Sequence, residues 1–435
     1  MKFQTTIFLF LIFLFKTHAQ SITWQELAPL PEKVTNNAVT AARVGGIPYV
    51  YSFAGIDSTK ACGKPHLRAF RYNTAANEWE AIAPLPDALG GKIAASASAV
   101  KNKIYIIGGY HVANNCGETS STKIHIYDPE TNAYLPDGAD LPKAIDDHVQ
   151  AVWRDSLIFV ITGWSNTANV TNVQIYNPST NEWTAGTPVP NSSNWKVFGA
   201  SGTIIGDTIY FAGGAGNWNG SNFPPTSIFR KGIIDPADPT QIAWEAESNP
   251  SARGYRMAAS TFQGKALWFG GSTVTYNFDG IAYNGSGGVA PLDRVLVFDP
   301  QIDFLNPLSG LIPKIMDLRG IAKISENEFI LAGGMEENQQ VTQRVIKITI
   351  DDLTATKEAD FQAVKIFPNP AGDFFIIQKE GIFELEIFDT IGKIILKKEV
   401  EGNKRIDVSN LPTGSYNLRI MKKNQVVGLQ KLVKS

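Results

Sequence analysis

Hydrophobic residues along this chain gather in short, nearly continuous runs that stop at glycine. YVYSFAG ends at Gly55, KIYIIGG at Gly109, LIFVITG at Gly163, TIYFAGG at Gly214, ALWFGG at Gly271 and EFILAGG at Gly334. Runs of this length, rich in Ile, Val, Phe and Tyr and closed by Gly, predict β-strands buried on both faces. Lighter stretches precede them, such as AASASAV (Ala94 to Val100), and predict an inner strand where several units crowd together. After each of the first five runs comes an aromatic or Ile, an Asn- or Asp-centred turn and usually another aromatic. YNTAANEW (Tyr72 to Trp79), YDPETNAY (Tyr127 to Tyr134) and YNPSTNEW (Tyr176 to Trp183) are the clearest copies, with weaker ones at Ile234 to Trp244 and Phe298 to Phe304. Pro, Asn and Asp pre-shape such tight turns, and the second aromatic is expected to pack between units. The pattern predicts six four-stranded units, one every about 50 to 65 residues.

A unit that cannot cover its own apolar faces must stack on its neighbours, and closing the stack into a ring removes the exposed edges. The sixth unit has no recognisable fourth strand. The missing piece stands at the other end, where ITWQELAPLP (Ile22 to Pro31) resembles NEWEAIAPLP (Asn77 to Pro86), so an N-terminal strand is expected to complete the last unit. Through the paired glycines and the spaced Tyr and Trp, Ser21 to Asp352 resembles the kelch-repeat family. The resemblance implies an all-β fold, a six-bladed β-propeller with four-stranded blades. Seven blades is the other count if the long fifth repeat hides one.

The pattern changes after Ile350. Asp351 to Gln362 is polar, and Val364 onward alternates strictly between Gly and Pro turns, which predicts a small β-sandwich. Phe367-Pro368-Asn369-Pro370, Phe388-Asp389 with Gly392-Lys393, Leu411-Pro412-Thr413-Gly414-Ser415-Tyr416 and the terminal Lys-Leu-Val-Lys follow in order. They resemble the type A C-terminal sorting domain of the type IX secretion system. That resemblance implies export by the type IX machinery across the outer membrane of a Bacteroidetes-type bacterium, then surface attachment or release. The N-terminus agrees: Lys2, the apolar run Ile7 to Phe15 and the small-residue site Thr17-His18-Ala19 predict a signal peptide rather than a membrane span. No Cys follows the site, which argues against a lipoprotein, and no later segment reads as a transmembrane helix. The expected division is 1–19 signal peptide, 20–352 propeller, 353–363 linker and 364–435 sorting domain.

Charged residues are 18% of the chain, apolar ones 43%, and the net charge is −2. This describes a folded chain and speaks against nucleic acid as a partner. Cys62 stands ten residues before Tyr72 and Cys116 eleven before Tyr127. They occupy nearly equivalent places in adjacent loops, and a disulfide is expected in an exported protein. The four histidines after the signal lack paired ligand spacing, so neither a metal nor any other cofactor is expected.

Two candidate sites emerge. The loops joining second to third strands are long at Ile56 to Leu67, Tyr110 to Thr122, Ala215 to Ser227 and Ser272 to Asp293, and long loops on a rigid scaffold commonly carry function. Trp218, Tyr276, Asp279 and Tyr283 lie in them and suit a glycan or protein ligand; the plain alternative is that these rings only pack the loops. At the starts of the inner strands, Lys92, His148, Lys196, Arg256 and Arg319 fall near the entrance of the central channel, with Asn37 in the first unit. Convergent cations there would favour an anion, offset in part by Asp146 and Asp147. Some kelch propellers are enzymes. The histidine set does not fit a galactose oxidase. A resemblance to the six-bladed N-acetylneuraminate epimerases implies acid–base work by Asp147 and His148, yet adjacent strand residues point to opposite faces. Binding of carbohydrate or protein is the favoured reading, and a sugar epimerase the enzymatic alternative.

Overall fold

The computed structural model describes residues 21–353, 365–389, 394–422 and 425–435. The expected signal peptide, almost all of the expected linker and Gly392 lie outside them. Two compact units divide the described residues, Ile22–Asp351 and the residues from Asp352 to the C-terminus. Among these residues no helix is long and apolar enough to cross a membrane.

Among the described residues the first unit contains six main antiparallel sheets, five of four strands and the second with a short fifth strand, Glu118–Ser120, beside its second strand; a two-stranded ribbon of Trp164–Ser165 and Ala168–Asn169 stands apart from them. The inner strands Ala38–Val44, Lys92–Val100, Val149–Trp153, Ser201–Ile205, Ala258–Phe262 and Ala322–Lys323 stand around a common axis, the last beside the first. The sixth sheet is completed by Ser21–Glu26, which pairs with Val345–Asp352 as its outer strand. Leu27 N–H donates to Val345 C=O at 2.9 Å and Leu30 N–H to Gln343 C=O at 2.9 Å, which holds the N-terminus in place. The expected closure by the N-terminal strand is what the structure shows.

The glycine-ended runs are the second strands, and burial explains their composition. Leu157–Ile161 is buried at four of its five residues, because neighbouring sheets cover both its faces. Apolar side chains of adjacent sheets interlock around the ring: Phe53 with Tyr127, Tyr105 with Tyr176, Phe229 with Trp268, and Phe269 with Phe329, while Trp195 of the link into the fourth sheet packs on its Phe211 and Trp244. Each fully buried ring or branched aliphatic contributes roughly 1.5–3 kcal/mol. The glycines themselves are dictated by close approach. Gly109 has φ +87°, and a Cβ there would lie 2.6 Å from the Ile93 carbonyl.

The Tyr–Asn–Trp signature is a staple. In the first sheet Tyr72 Oη donates to Asn77 Oδ1 at 2.7 Å, Asn77 Oδ1 also accepts from Ala28 N–H at 2.9 Å, and Trp79 Nε1 donates to Ala28 C=O at 3.0 Å. Tyr176, Asn181 and Trp183 grip Ala139 in the same way. Each signature thus fastens its sheet to the strand exit of the preceding one.

The second unit packs two sheets, one of Ile366–Phe367, Phe374–Ile377 and Arg405–Asp407, the other of Ile394–Glu401, Ile382–Phe388, Gly414–Lys422 and Gln425–Lys434. Phe375, Phe383, Leu385, Ile387, Leu418 and Ile420 fill the space between them. The Phe367–Pro370 segment fixes the last strand, since Asn369 Nδ2 donates to Lys431 C=O at 2.6 Å and Asn369 Oδ1 accepts from Val433 N–H at 2.8 Å. Tyr416 Oη donates to Pro412 C=O at 2.6 Å and closes the Leu411–Gly414 turn, with Leu411 packed against the core.

Candidate functional sites at the two ends of the axis

Just before each inner strand, or in the second inner strand's case at its third residue, one residue takes a left-handed backbone conformation: Asn36, Ala94, Asp147, Gly199, Arg256 and Asp317, with φ between +47° and +65°. These six positions form a belt. Asp147 N–H donates to Ala94 C=O at 3.2 Å, Gly199 N–H to Asp147 C=O at 2.7 Å, and Arg256 N–H to Gly199 C=O at 2.8 Å. Leu318 N–H then donates to Arg256 C=O at 3.0 Å, Asn36 N–H to Asp317 C=O at 3.2 Å, and Ala94 N–H to Asn36 Oδ1 at 2.9 Å.

Arg256 crosses the axis at the belt. Its Nε and Nη2 donate to both carboxylate oxygens of Asp147, at 3.1 and 2.7 Å, and its Nη1 donates to Asp317 Oδ1 at 2.9 Å. Gly199 lies between Asp147 and Arg256 in the ring, and a Cβ there would sit 2.1 Å from the Tyr255 ring. Thr35 and Asn36 complete Asp317 at 2.7 and 3.1 Å. Arg319 adds a second cation, with Nη1 3.3 Å from Asp147 Oδ1 and Nη2 donating to Ser96 Oγ at 2.9 Å and His148 C=O at 3.0 Å. Burial pushes the Asp147 carboxyl up, but Arg256 and Arg319 outweigh it and hold it below the ordinary range. Neighbouring Asp146 lacks such a partner, and burial and the Asp147 charge push it well up.

The structure thus brings three of the five basic residues expected together, Arg256 and Arg319 on Asp147 and His148 beside Arg319, and turns Lys92 to Asp87. Arg256 alone stands on the belt. Lys92 precedes the belt residue Ala94 by two positions and is fully buried with Nζ 3.0 Å from Asp87, which also holds His125 Nε2 at 3.2 Å. Lys196 precedes Gly199 by three positions and is half-buried. His148 follows Asp147 by one and Arg319 follows Asp317 by two, so both lie past the belt. Sequence alignment at this point is blurred because the linking loops differ in length; the positive-φ residue is the feature that sets the register. Asn37 donates to Ser52 Oγ at 2.8 Å and Ala332 C=O at 3.1 Å, and so ties the sixth sheet to the first.

On the long-loop side of the belt the axis is roofed. The loop after Phe269 reaches across it, so that Phe278 packs with Ile56, Ile93 and Tyr110 of the first two sheets. Lys60 Nζ donates to Asp279 C=O at 2.9 Å and Gln339 C=O at 3.0 Å. Tyr276 is fully buried, its ring 5.5 Å from the Arg256 guanidinium and 5.0 Å from the Tyr255 ring. Asp279 is half-buried and its Oδ1 accepts from Ile281 N–H at 2.9 Å. Cys62 and Cys116 are joined, their Cα atoms 5.0 Å apart, as expected. Trp218 is different: it is 53% exposed, its ring 5.2 Å from Phe223, which rests 4.9 Å from half-buried Tyr283 and 5.3 Å from Trp164.

On the other side the inner strands line a cavity of about 370 Å³, with Arg319 and His148 among its lining and Ser98, Thr203 and Ser260 along its walls. Exposure rises from the belt toward the hairpins that join first to second strands: Ala94 to Ser96 are buried, Ala97 to Ala99 half-buried. The cavity therefore opens opposite the long loops. Burial and the Arg319 charge push His148 down to about 4. The unfolded chain takes up this proton near pH 6.5 and the folded chain resists it, so the contribution is complete above pH 6.5 and lost as pH falls toward 4. This shift corresponds to on the order of 3 kcal/mol. His148→Gln is expected to flatten the fall of the melting temperature over that window; an unchanged slope would refute it.

Among the described residues no group of three or more His, Cys, Asp or Glu is placed to hold a metal ion. Comparison with known proteins agrees with this architecture. The KLHDC2/KLHL20/DRC7 Kelch-repeats domain matches residues 10–214, and the Secretion system C-terminal sorting domain matches residues 365–435. Kelch-like protein terF of Aspergillus terreus is 27% identical over 263 residues, which are 58% of this chain and 53% of that protein. Kelch-like protein 26 of Danio rerio is 27% identical over 122 residues, 28% of this chain and 19% of that one. The chain therefore spans about half or less of the curated relatives it matches. The solved structure of YjhT aligns with a TM-score of 0.59 at 14% identity, covering 76% of this chain and 99% of that one, a likeness of fold alone. The sorting domain implies handling by secretion machinery and a destination at the cell surface or beyond. The chain is a kelch-repeat β-propeller protein with a C-terminal sorting domain of the type IX secretion system.

Proposed function

We propose that the exported propeller is an interaction module that holds a carbohydrate on its long-loop face. The observation that carries this reading is Trp218, more than half exposed yet backed by Phe223, which is itself held by Trp164 and Tyr283. A sugar presents a flat face of C–H bonds that stacks on an indole, and a ring already held in place loses little entropy on binding. The loop carrying it is pre-shaped, because Asn219 Oδ1 accepts from both Ser221 N–H and Asn222 N–H. A signal peptide over 1–19, removal of the tail and attachment to the cell surface complete the proposed route.

Trp218→Ala is expected to weaken glycan binding by about 10-fold or more, with the melting temperature unchanged because the ring is largely in solvent. A glycan array followed by calorimetry on the full chain tests this. Binding that survives the substitution would remove the Trp218 site, and capture of a protein with no glycan binding would make the face a protein-recognition surface. Interconversion of N-acetylneuraminate anomers, read by NMR, would replace binding with the epimerase reading.

A further inference from the structure

Asp146 and Asp147 stand side by side before the third inner strand, and their surroundings differ. Asp147 takes both Arg256 and Arg319. Asp146 is buried to a similar depth, at 3% exposure, and among the described residues no ion pair reaches it. Its polar contacts are neutral instead. Asp146 Oδ2 lies 2.5 Å from Ser120 Oγ. Ser120 Oγ also accepts from Asn166 N–H at 2.8 Å, and Ser120 N–H donates to Asn166 Oδ1 at 3.0 Å. The backbone of Asp146 exchanges hydrogen bonds with that of Trp164, at 2.9 and 3.0 Å. Asp146 thus ties the short strand Glu118–Ser120 to the ribbon that carries Trp164. Trp164 packs on Phe223, which backs Trp218.

The charged groups that face Asp146 are Asp147 on its own segment, Glu118 on the short strand, Arg256 from the fifth sheet and Arg319 from the sixth. The ribbon, from Trp164 to Asn169, has no titratable group. Glu118 and Ser120 are two residues apart, so their side chains leave the strand on one face, and a second carboxyl lies on the Asp146 side. Both arginines are committed elsewhere. Arg256 holds Asp147 and Asp317, and Arg319 holds Asp147, Ser96 and the His148 carbonyl. A charge on Asp146 would be buried without a counter-ion and beside like charges, and a group in that position is favoured in its neutral form. Burial, Asp147 and Glu118 outweigh the Ser120 hydroxyl and hold the Asp146 carboxyl well above the ordinary range.

We propose that Asp146 stays an uncharged acid in the folded chain and that its ionisation is a switch: the buried charge draws in water and unties the Glu118–Ser120 strand from the Trp164 ribbon beneath the long-loop face. The unfolded chain releases this proton near pH 4, and the folded chain keeps it. Asp146 therefore lowers stability progressively as pH rises above about 4, until the folded chain ionises too. Asp146→Asn has the shape of the uncharged acid and no proton to lose. In the full chain at about pH 8 its propeller is expected to melt about 4 °C or more above the unaltered one, and the gap is expected to close as pH falls toward 4. Hydrogen exchange at about pH 9 is expected to be faster in residues 118–120 and 164–169 of the unaltered chain than in the variant, with the remaining strands alike. A gap that does not change with pH, or a variant that melts lower than the unaltered chain at about pH 8, would overturn the proposal. So would constant protection of the two segments in the unaltered chain from about pH 6 to 9, after correction for the intrinsic exchange rate, a readout that needs no variant.

Discussion

Arg256→Met is expected to lower the stability of the propeller by about 3–5 kcal/mol, the range found when one member of a buried ion pair is removed. Arg256 is 1% exposed, and the two carboxylates it holds are 2% and 0% exposed. Without it Asp147 keeps only Arg319, at 3.3 Å, and Asp317 keeps only the neutral donors of Thr35 and Asn36. Methionine fills much of the volume, so the loss reports charge rather than a cavity. For a unit of this size the melting temperature should fall by about 4–7 °C. The added substitution Asp317→Asn should restore part of the loss, since it removes the stranded charge and keeps the shape. A change within about 2 °C in Arg256→Met, or no recovery in the double variant, would show that the charges across the belt do not hold the ring together.

Joint replacement of Cys62 and Cys116 by serine is expected to cost about 4 kcal/mol. The disulfide closes a loop with a sequence separation of 54, and by chain entropy a cross-link of that span restricts the unfolded chain by this amount. It also joins the second-to-third-strand loops of the first two sheets, beside the place where Phe278 and Lys60 anchor the loop from the fifth. Denaturant unfolding of the variant, and of the unaltered protein under reducing conditions, measures the loss; coincident midpoints would refute it. Wider hydrogen exchange in residues 56–67 and 110–122, with the rest unchanged, would confine the effect to the loops.

The repeat structure was readable in the residues because burial on both faces demands unbroken apolar strands, and because close approach of a carbonyl demands glycine at positions such as Gly109. The N-terminal strand could be assigned to the last sheet since its Trp-Gln-Glu-Leu-Ala-Pro-Leu-Pro copies the outer strand of the first. The disulfide followed from equivalent positions in adjacent units. The belt was not readable in this way. Asn36, Ala94, Asp147, Gly199, Arg256 and Asp317 share a backbone conformation and no side-chain chemistry, so aligning cations by sequence placed Lys92 and Lys196 beside Arg256 when the fold holds them apart.

The sequence by itself determined which segments form strands, how they repeat, where the chain closes and that a sorting tail follows, since all of these rest on patterns local to a strand, a turn or a repeat. Only the tertiary structure decided that Arg256 neutralises Asp147 and Asp317 rather than waiting for an anion, that the loop after Phe269 roofs the axis while Trp218 stays in solvent, and that Arg319 and His148 face a cavity opening on the opposite side. Those outcomes depend on distances across the ring, between residues 61 to 171 positions apart, and on a register that a one-residue step changes completely.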